Sequence, residues 1–101
     1  MAADHVFFAA QTATGAAGVV AFAIDLWTVQ IYGVWDSGAA QFEISVDGTN
    51  WESIEGATFT ADGSVNIEAA PGCQLRANIT VAGGSTSLTA VGNRKQKIGV
   101  M

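Results

Sequence analysis

Apolar and polar side chains alternate along residues 40–47: Phe42, Ile44 and Val46 fall between Gln41, Glu43, Ser45 and Asp47. A period of two puts the first set on one face of a β-strand and the second on the other, one buried and one wet. Residues 74–82 repeat the arrangement, with Leu75, Ala77, Ile79 and Val81 opposed to Gln74, Arg76, Asn78 and Thr80. Shorter pieces follow the same rule: Val65 and Ile67 flank Asn66, and Leu88 and Ala90 flank Thr89. From Trp27 to Trp35, one face carries Trp27, Val29, Ile31, Gly33 and Trp35, the other Thr28, Gln30, Tyr32 and Val34. That second face is only partly polar, which predicts a central strand covered on both sides.

Between these runs lie clusters of Gly with Asp, Asn or Ser: 36–38, 47–50, 62–64 and 83–85, with Pro71-Gly72 besides. Such residues supply positive φ angles and local side-chain hydrogen bonds for tight turns. Turns recurring every 8–12 residues or so between short alternating strands predict a sandwich or barrel. Residues 2–23 are rich in Ala, but Thr12, Thr14, Gly15, Gly18, Val19 and Val20 interrupt any helical stripe. No helix is predicted. The expected fold is all-β: a single β-sandwich of about eight short antiparallel strands, jelly-roll-like by preference, with an immunoglobulin-like topology as the alternative. The pattern yields strands but not their pairing order. Residues 1–18 are expected to form an N-terminal arm and loop, extended from His5 to Ala10, before a strand near Val19 to Ile24; residues 93–101 form a basic tail.

Composition narrows the function. Only 13% of the residues are charged, against about 25% in an average soluble domain. Four Lys and Arg stand against nine Asp and Glu, for a net charge of −5, which speaks against nucleic acid as a partner. No apolar run approaches the roughly 20 residues of a membrane-spanning helix, so no membrane partner is expected. The start lacks the positively charged segment of a secretory signal, and the lone Cys73 has no internal partner for a disulfide. Three of the four basic residues, Arg94, Lys95 and Lys97, gather near the C-terminus. With the apolar Val6, Phe7 and Phe8 they are the candidate protein-interface residues, as docking elements or equally as edge strands.

Candidates for chemistry are few. His5 is the only histidine, so neither a Ser-His-Asp set nor a His-rich metal site can be built around a second one. Cys73 has no marked base to generate a thiolate. The carboxylates are spread along the chain with nothing to select a glycosidase pair, and Asp47-Gly48-Thr49-Asn50 lacks the spacing of a calcium loop. Trp35, Trp51 and Tyr32 could form a sugar-stacking platform, but Trp27 and Trp35 share a face with Val29 and Ile31, which favours core packing. No catalytic, cofactor-binding or metal-ligating residue is named, and no cofactor is expected. The chain is expected not to be an enzyme.

The segment Ser45-Val46-Asp47-Gly48-Thr49-Asn50-Trp51, followed by Glu52-Ser53-Ile54, forms a strand, an Asp-Gly turn and a returning strand opened by Trp. It resembles the S-x-D-G-T-N-W segment of small β-sandwich virion proteins of tailed bacteriophages. The likeness continues upstream at residues 11–17 and downstream at 57–63, 71–78 and 87–90, covering most of residues 11–91. The resemblance implies a capsid decoration (cement) protein that binds the assembled shell and stabilises joints between capsid subunits. A neck, tail or fibre-associated virion protein is the alternative, and a carbohydrate-binding module a further one. It further implies the major capsid protein or other virion proteins as partners, a homo-oligomer with a trimer favoured, and location on the virion, at the capsid surface, after assembly in the host cytoplasm.

Overall fold

The computed structural model describes residues 5–21, 26–68 and 72–94. Eight strands follow in order: β1 His5–Gln11, β2 Gly15–Ala21, β3 Leu26–Val34, β4 Ala39–Ser45, β5 Glu52–Phe59, β6 Gly63–Glu68, β7 Gln74–Val81 and β8 Ser87–Arg94. They form two antiparallel sheets of four, β1-β8-β3-β6 (sheet A) and β2-β7-β4-β5 (sheet B). Every connection except β4–β5 passes from one sheet to the other. This is the strand order of an eight-stranded jelly roll, and it sets aside the immunoglobulin-like alternative.

The core lies between the sheets, where Val29, Ile31, Phe42, Leu75, Ile79 and Leu88 are fully buried. Each such side chain contributes roughly 1.5–3 kcal/mol through loss of apolar contact with water. Phe42 joins the layers, meeting Phe7 and Phe59 edge-to-face at centroid distances of 5.4 and 6.2 Å.

The N-terminal residues divide the expectation: the extended run from His5 and the edge-strand alternative hold, whereas residues 5–18 do not form a separate arm and loop. His5–Gln11 is edge strand β1, paired with β8, and β2 begins already at Gly15; the rest of the expected strand, 22–24, lies outside the described residues. In β1, Val6 pairs with Val91 and Phe8 with Ala90, so Phe7 is an extra residue bulged into the strand. The bulge breaks the two-residue period and lets the adjacent Phe7 and Phe8 both bury. β2 packs close behind: a methyl group on Gly18, whose φ is +74°, would collide with the Phe7 backbone.

Two other expectations fail at strand faces. β3 is an inner strand covered on one side only: Trp27, Val29 and Ile31 are buried, while Thr28, Gln30 and Tyr32 are exposed. In β4 the supposedly wet Glu43 and Ser45 are buried, whereas Val46, expected inside, is 83% exposed because the strand ends at Ser45.

Candidate functional site

The S-x-D-G-T-N-W segment is a closed hydrogen-bond knot between β4 and β5. The Asp47 carboxylate accepts from the backbone N–H groups of Thr49 and Asn50, each at 2.8 Å, and from the Asn50 amide and Ser45 hydroxyl. Ser45 Oγ in turn accepts from the Gly48 N–H at 2.8 Å. Gly48 takes φ +79°, a conformation that costs glycine little. Backbone hydrogen bonds from Asn50 and Thr49, with the side chains of Asn50 and Ser45, hold the Asp47 carboxyl far below the usual aspartate range. The Asp47 carboxylate and the Ser45 hydroxyl are thus occupied within the turn itself, so these two residues specify a shape.

The Trp of that segment opens onto a second network, on the outer face of sheet B. The β4–β7 register sets Gln41 beside Asn78 and Glu43 beside Arg76. Glu43, only 6% exposed, accepts from Gln41 at 2.6 Å, from Arg76 Nε at 2.6 Å and from Asn78 at 3.0 Å. The Arg76 guanidinium lies 4.2 Å from the centre of the Trp51 ring. Burial opposes ionisation of Glu43, but hydrogen bonds from Asn78, Gln41 and Arg76, with the guanidinium charge, outweigh it and hold the carboxyl below its ordinary range. The arrangement is one carboxylate, one guanidinium and one indole stacked in order. It offers neither an open nucleophile nor a proton acceptor with room for substrate.

At one end of the sandwich the β3–β4, β5–β6 and β7–β8 turns are tied together. Asp62 accepts from the Gly33 N–H and from the Trp35 indole N–H at 2.8 Å. Asp36 accepts from the Ser85 N–H at 2.6 Å, and the buried Thr86 hydroxyl donates to the Trp35 carbonyl at 2.8 Å. Asp36, Asp47 and Asp62 are thus turn fasteners. Trp35 and Trp51 are each half-buried and engaged, which removes them as a flat stacking platform; Tyr32 remains, 41% exposed.

The sequence-derived interface residues scatter. Val6 is exposed on the outer face of sheet A, but Phe7 and Phe8 point into the core at 3% and 7% exposure and cannot meet a partner. The physical reason is the β1 bulge. Arg94 is half-buried at the end of β8, opposite Trp27; Lys95 and Lys97 lie outside the described residues. His5 donates through Nε2 to the Gly18 carbonyl at 2.7 Å and stacks edge-on against Phe7, and Cys73 is buried. Among the described residues, no three His, Cys, Asp or Glu side chains gather as metal ligands would.

One surface was not anticipated. Val6, Thr28, Gln30, Tyr32, Ser64 and Val91 line a hollow of about 530 Å³ on the outer face of sheet A. In sequence, only the partly polar even positions of β3 hinted at it, and they suggested cover by another layer instead. Compared with protein-family models and with curated proteins, the sequence matches none.

Proposed function

We propose that this chain is a non-enzymatic virion protein of a tailed bacteriophage, and that it decorates the capsid, binding the assembled shell and stabilising the joints between its subunits. The observation that carries this reading is the strand order. Eight-stranded jelly rolls recur in viral capsid and lectin domains, and the segments that resemble small phage virion proteins fall on the turns and strands of such a sandwich. The likeness is one of architecture, and function rests on sites as much as on fold. The weakly charged surface is in keeping with it. Val19, Val34, Val46 and Val81 are each at least half exposed, and apolar side chains of this kind are covered when copies close into a symmetric assembly. A homotrimer is the favoured assembly. A protein that binds only the assembled shell stabilises it by mass action, without chemistry.

Residues 5–10 do not serve the shell contact as a detachable arm, because removing them would take β1 and two core phenylalanines with them. The test is to mix labelled protein with capsids that lack it and image the particles. Many copies spread over the shell are expected, with a raised temperature of capsid disruption. A few copies at one vertex would move the role to neck or tail, and no binding to any particle would refute it.

A further inference from the structure

The register of sheet A lines up Val6, Val91, Gln30 and Ser64 in one row across all four strands on the outer face. Tyr32 and Thr89 form the row to one side; Asn93, Thr28 and Asn66 form the row to the other. Neighbouring strands lie about 4.8 Å apart, and successive outward residues about 6.7 Å apart. The three rows therefore cover a patch of roughly 14 by 13 Å. The hollow over it, about 530 Å³, falls within the roughly 300–1,000 Å³ typical of small-ligand sites.

Two properties of the lining select the ligand. Among the described residues, no Asp, Glu, Lys or Arg lines the hollow; Glu68, paired with Leu26, stands one row farther along and outside it. A phosphate or a polyanion would find no counter-charge there. The polar groups that do line it are amides and hydroxyls, which donate and accept alike. One of them is already used: the Thr28 hydroxyl donates to Asn66 at 2.7 Å. The Gln30 amide and the Tyr32 and Ser64 hydroxyls make no hydrogen bond to any described residue.

A protein partner would favour a patch rich in aromatics, Met and Arg, and this one has a single aromatic ring. The complementary ligand is uncharged, carries many hydroxyls that both donate and accept, and has an apolar C–H face for the Tyr32 ring. We infer that the outer face of sheet A binds a neutral oligosaccharide. Gln30 spans adjacent sugar hydroxyls at the centre, Tyr32 stacks on a ring at one side, and Ser64 supplies a further hydrogen bond. The inference is independent of the capsid role and survives its failure.

The test is a titration of the ¹⁵N-labelled full chain with maltotriose, cellotriose, mannotriose and chitotriose, followed by amide chemical shifts. At least one probe is expected to shift amides at residues 28–32, 63–66 and 89–93. Gln30→Ala and Tyr32→Ala should each weaken that binding about tenfold or more, since a sugar hydroxyl or ring face loses its partner. Thr58→Ala, on the exposed face of sheet B, should leave it unchanged. Retained spectral dispersion in each variant separates loss of binding from loss of fold. No shift with any of the four trisaccharides, shifts confined to sheet B, or a stronger response to the acidic sialyllactose would overturn the assignment.

Discussion

The two outer faces of the sandwich start from similar residues and end in different states. Sheet B carries Gln41, Glu43, Arg76 and Asn78 outward, and these close on one another: three donors converge on one carboxylate, with Trp51 over the guanidinium. Sheet A carries Thr28, Gln30, Tyr32 and Ser64 outward, and only the first is engaged by a side chain of the sheet, through Asn66. The difference follows from charge. A carboxylate brought to 6% exposure must recruit donors or lose its solvation uncompensated, so a charged face organises itself. A neutral face of amides and hydroxyls is under no such demand and stays open to water or a ligand. Of the two polar surfaces, the sheet A hollow, whose described lining carries no charge, is therefore the better candidate for binding.

The contrast can be tested within a single strand. Phe7 and Val6 are neighbours in β1, one in the core and one on the open face. Phe7→Ala should cost about 3–5 kcal/mol, the usual loss for truncating a buried Phe, while Val6→Ser should stay within about 0.5 kcal/mol. Urea unfolding measures both; equal losses would mean that β1 does not sit in the sheet as described.

Next in size is the comparison of the faces themselves. Glu43→Ala should destabilise by about 1–3 kcal/mol, less than the loss of a fully buried ion pair because Arg76 keeps 24% of its side-chain surface in water. Gln30→Ala on sheet A should change stability by no more than about 0.5 kcal/mol. If the two variants unfold at the same denaturant concentration, the closed network on sheet B contributes nothing to the fold.

Acid acts on one face and not the other. The carboxyls of Glu43 and Asp47 are held below their ordinary values of 4.5 and 3.8 in the folded chain, so the unfolded chain binds more protons as pH falls through that range. The stability they contribute is complete above about pH 4.5 and is lost progressively as pH drops toward and through the lowered folded values. Thermal melting across pH 2–7 or so should show the decline. It should be shallower in Glu43→Gln and unchanged in Gln30→Ala, since among the described residues no carboxylate lines the sheet A hollow.

The smallest effect concerns the lid on the sheet B network. Trp51→Leu removes the cation–π contact with Arg76 and should cost about 0.5–1 kcal/mol, read by denaturant unfolding followed by circular dichroism. A larger loss would show that Trp51 shields the Glu43–Arg76 pair from water as well as stacking on it.

Much of the fold was legible in the residues. Alternation at 74–82 and 87–90 and the turn clusters at 36–38, 47–50, 62–64 and 83–85 correspond to β7, β8 and the observed connections, because strand period and turn chemistry are local properties. The departures occur where neighbours intervene. Phe7 and Phe8 looked like half of an exposed arm, since no periodic rule allows two adjacent residues to face inward; a bulge against β8 does. Glu43 looked wet because its donors, Arg76 and Asn78, lie more than thirty residues away.

The candidate site was less legible still. Its central row takes one residue from each of β1, β8, β3 and β6, segments spread from one end of the chain to the other. Composition and local pattern were enough to establish a weakly charged, all-β sandwich with acidic turns, because burial of alternating side chains and the geometry of Asx-Gly turns act over a few residues. Pairing order, the bulge that buries Phe7, the ion pair on sheet B and the neutral hollow on sheet A came from packing. Each depends on which distant strands lie side by side, and hydrogen bonding between strands is blind to their separation in sequence.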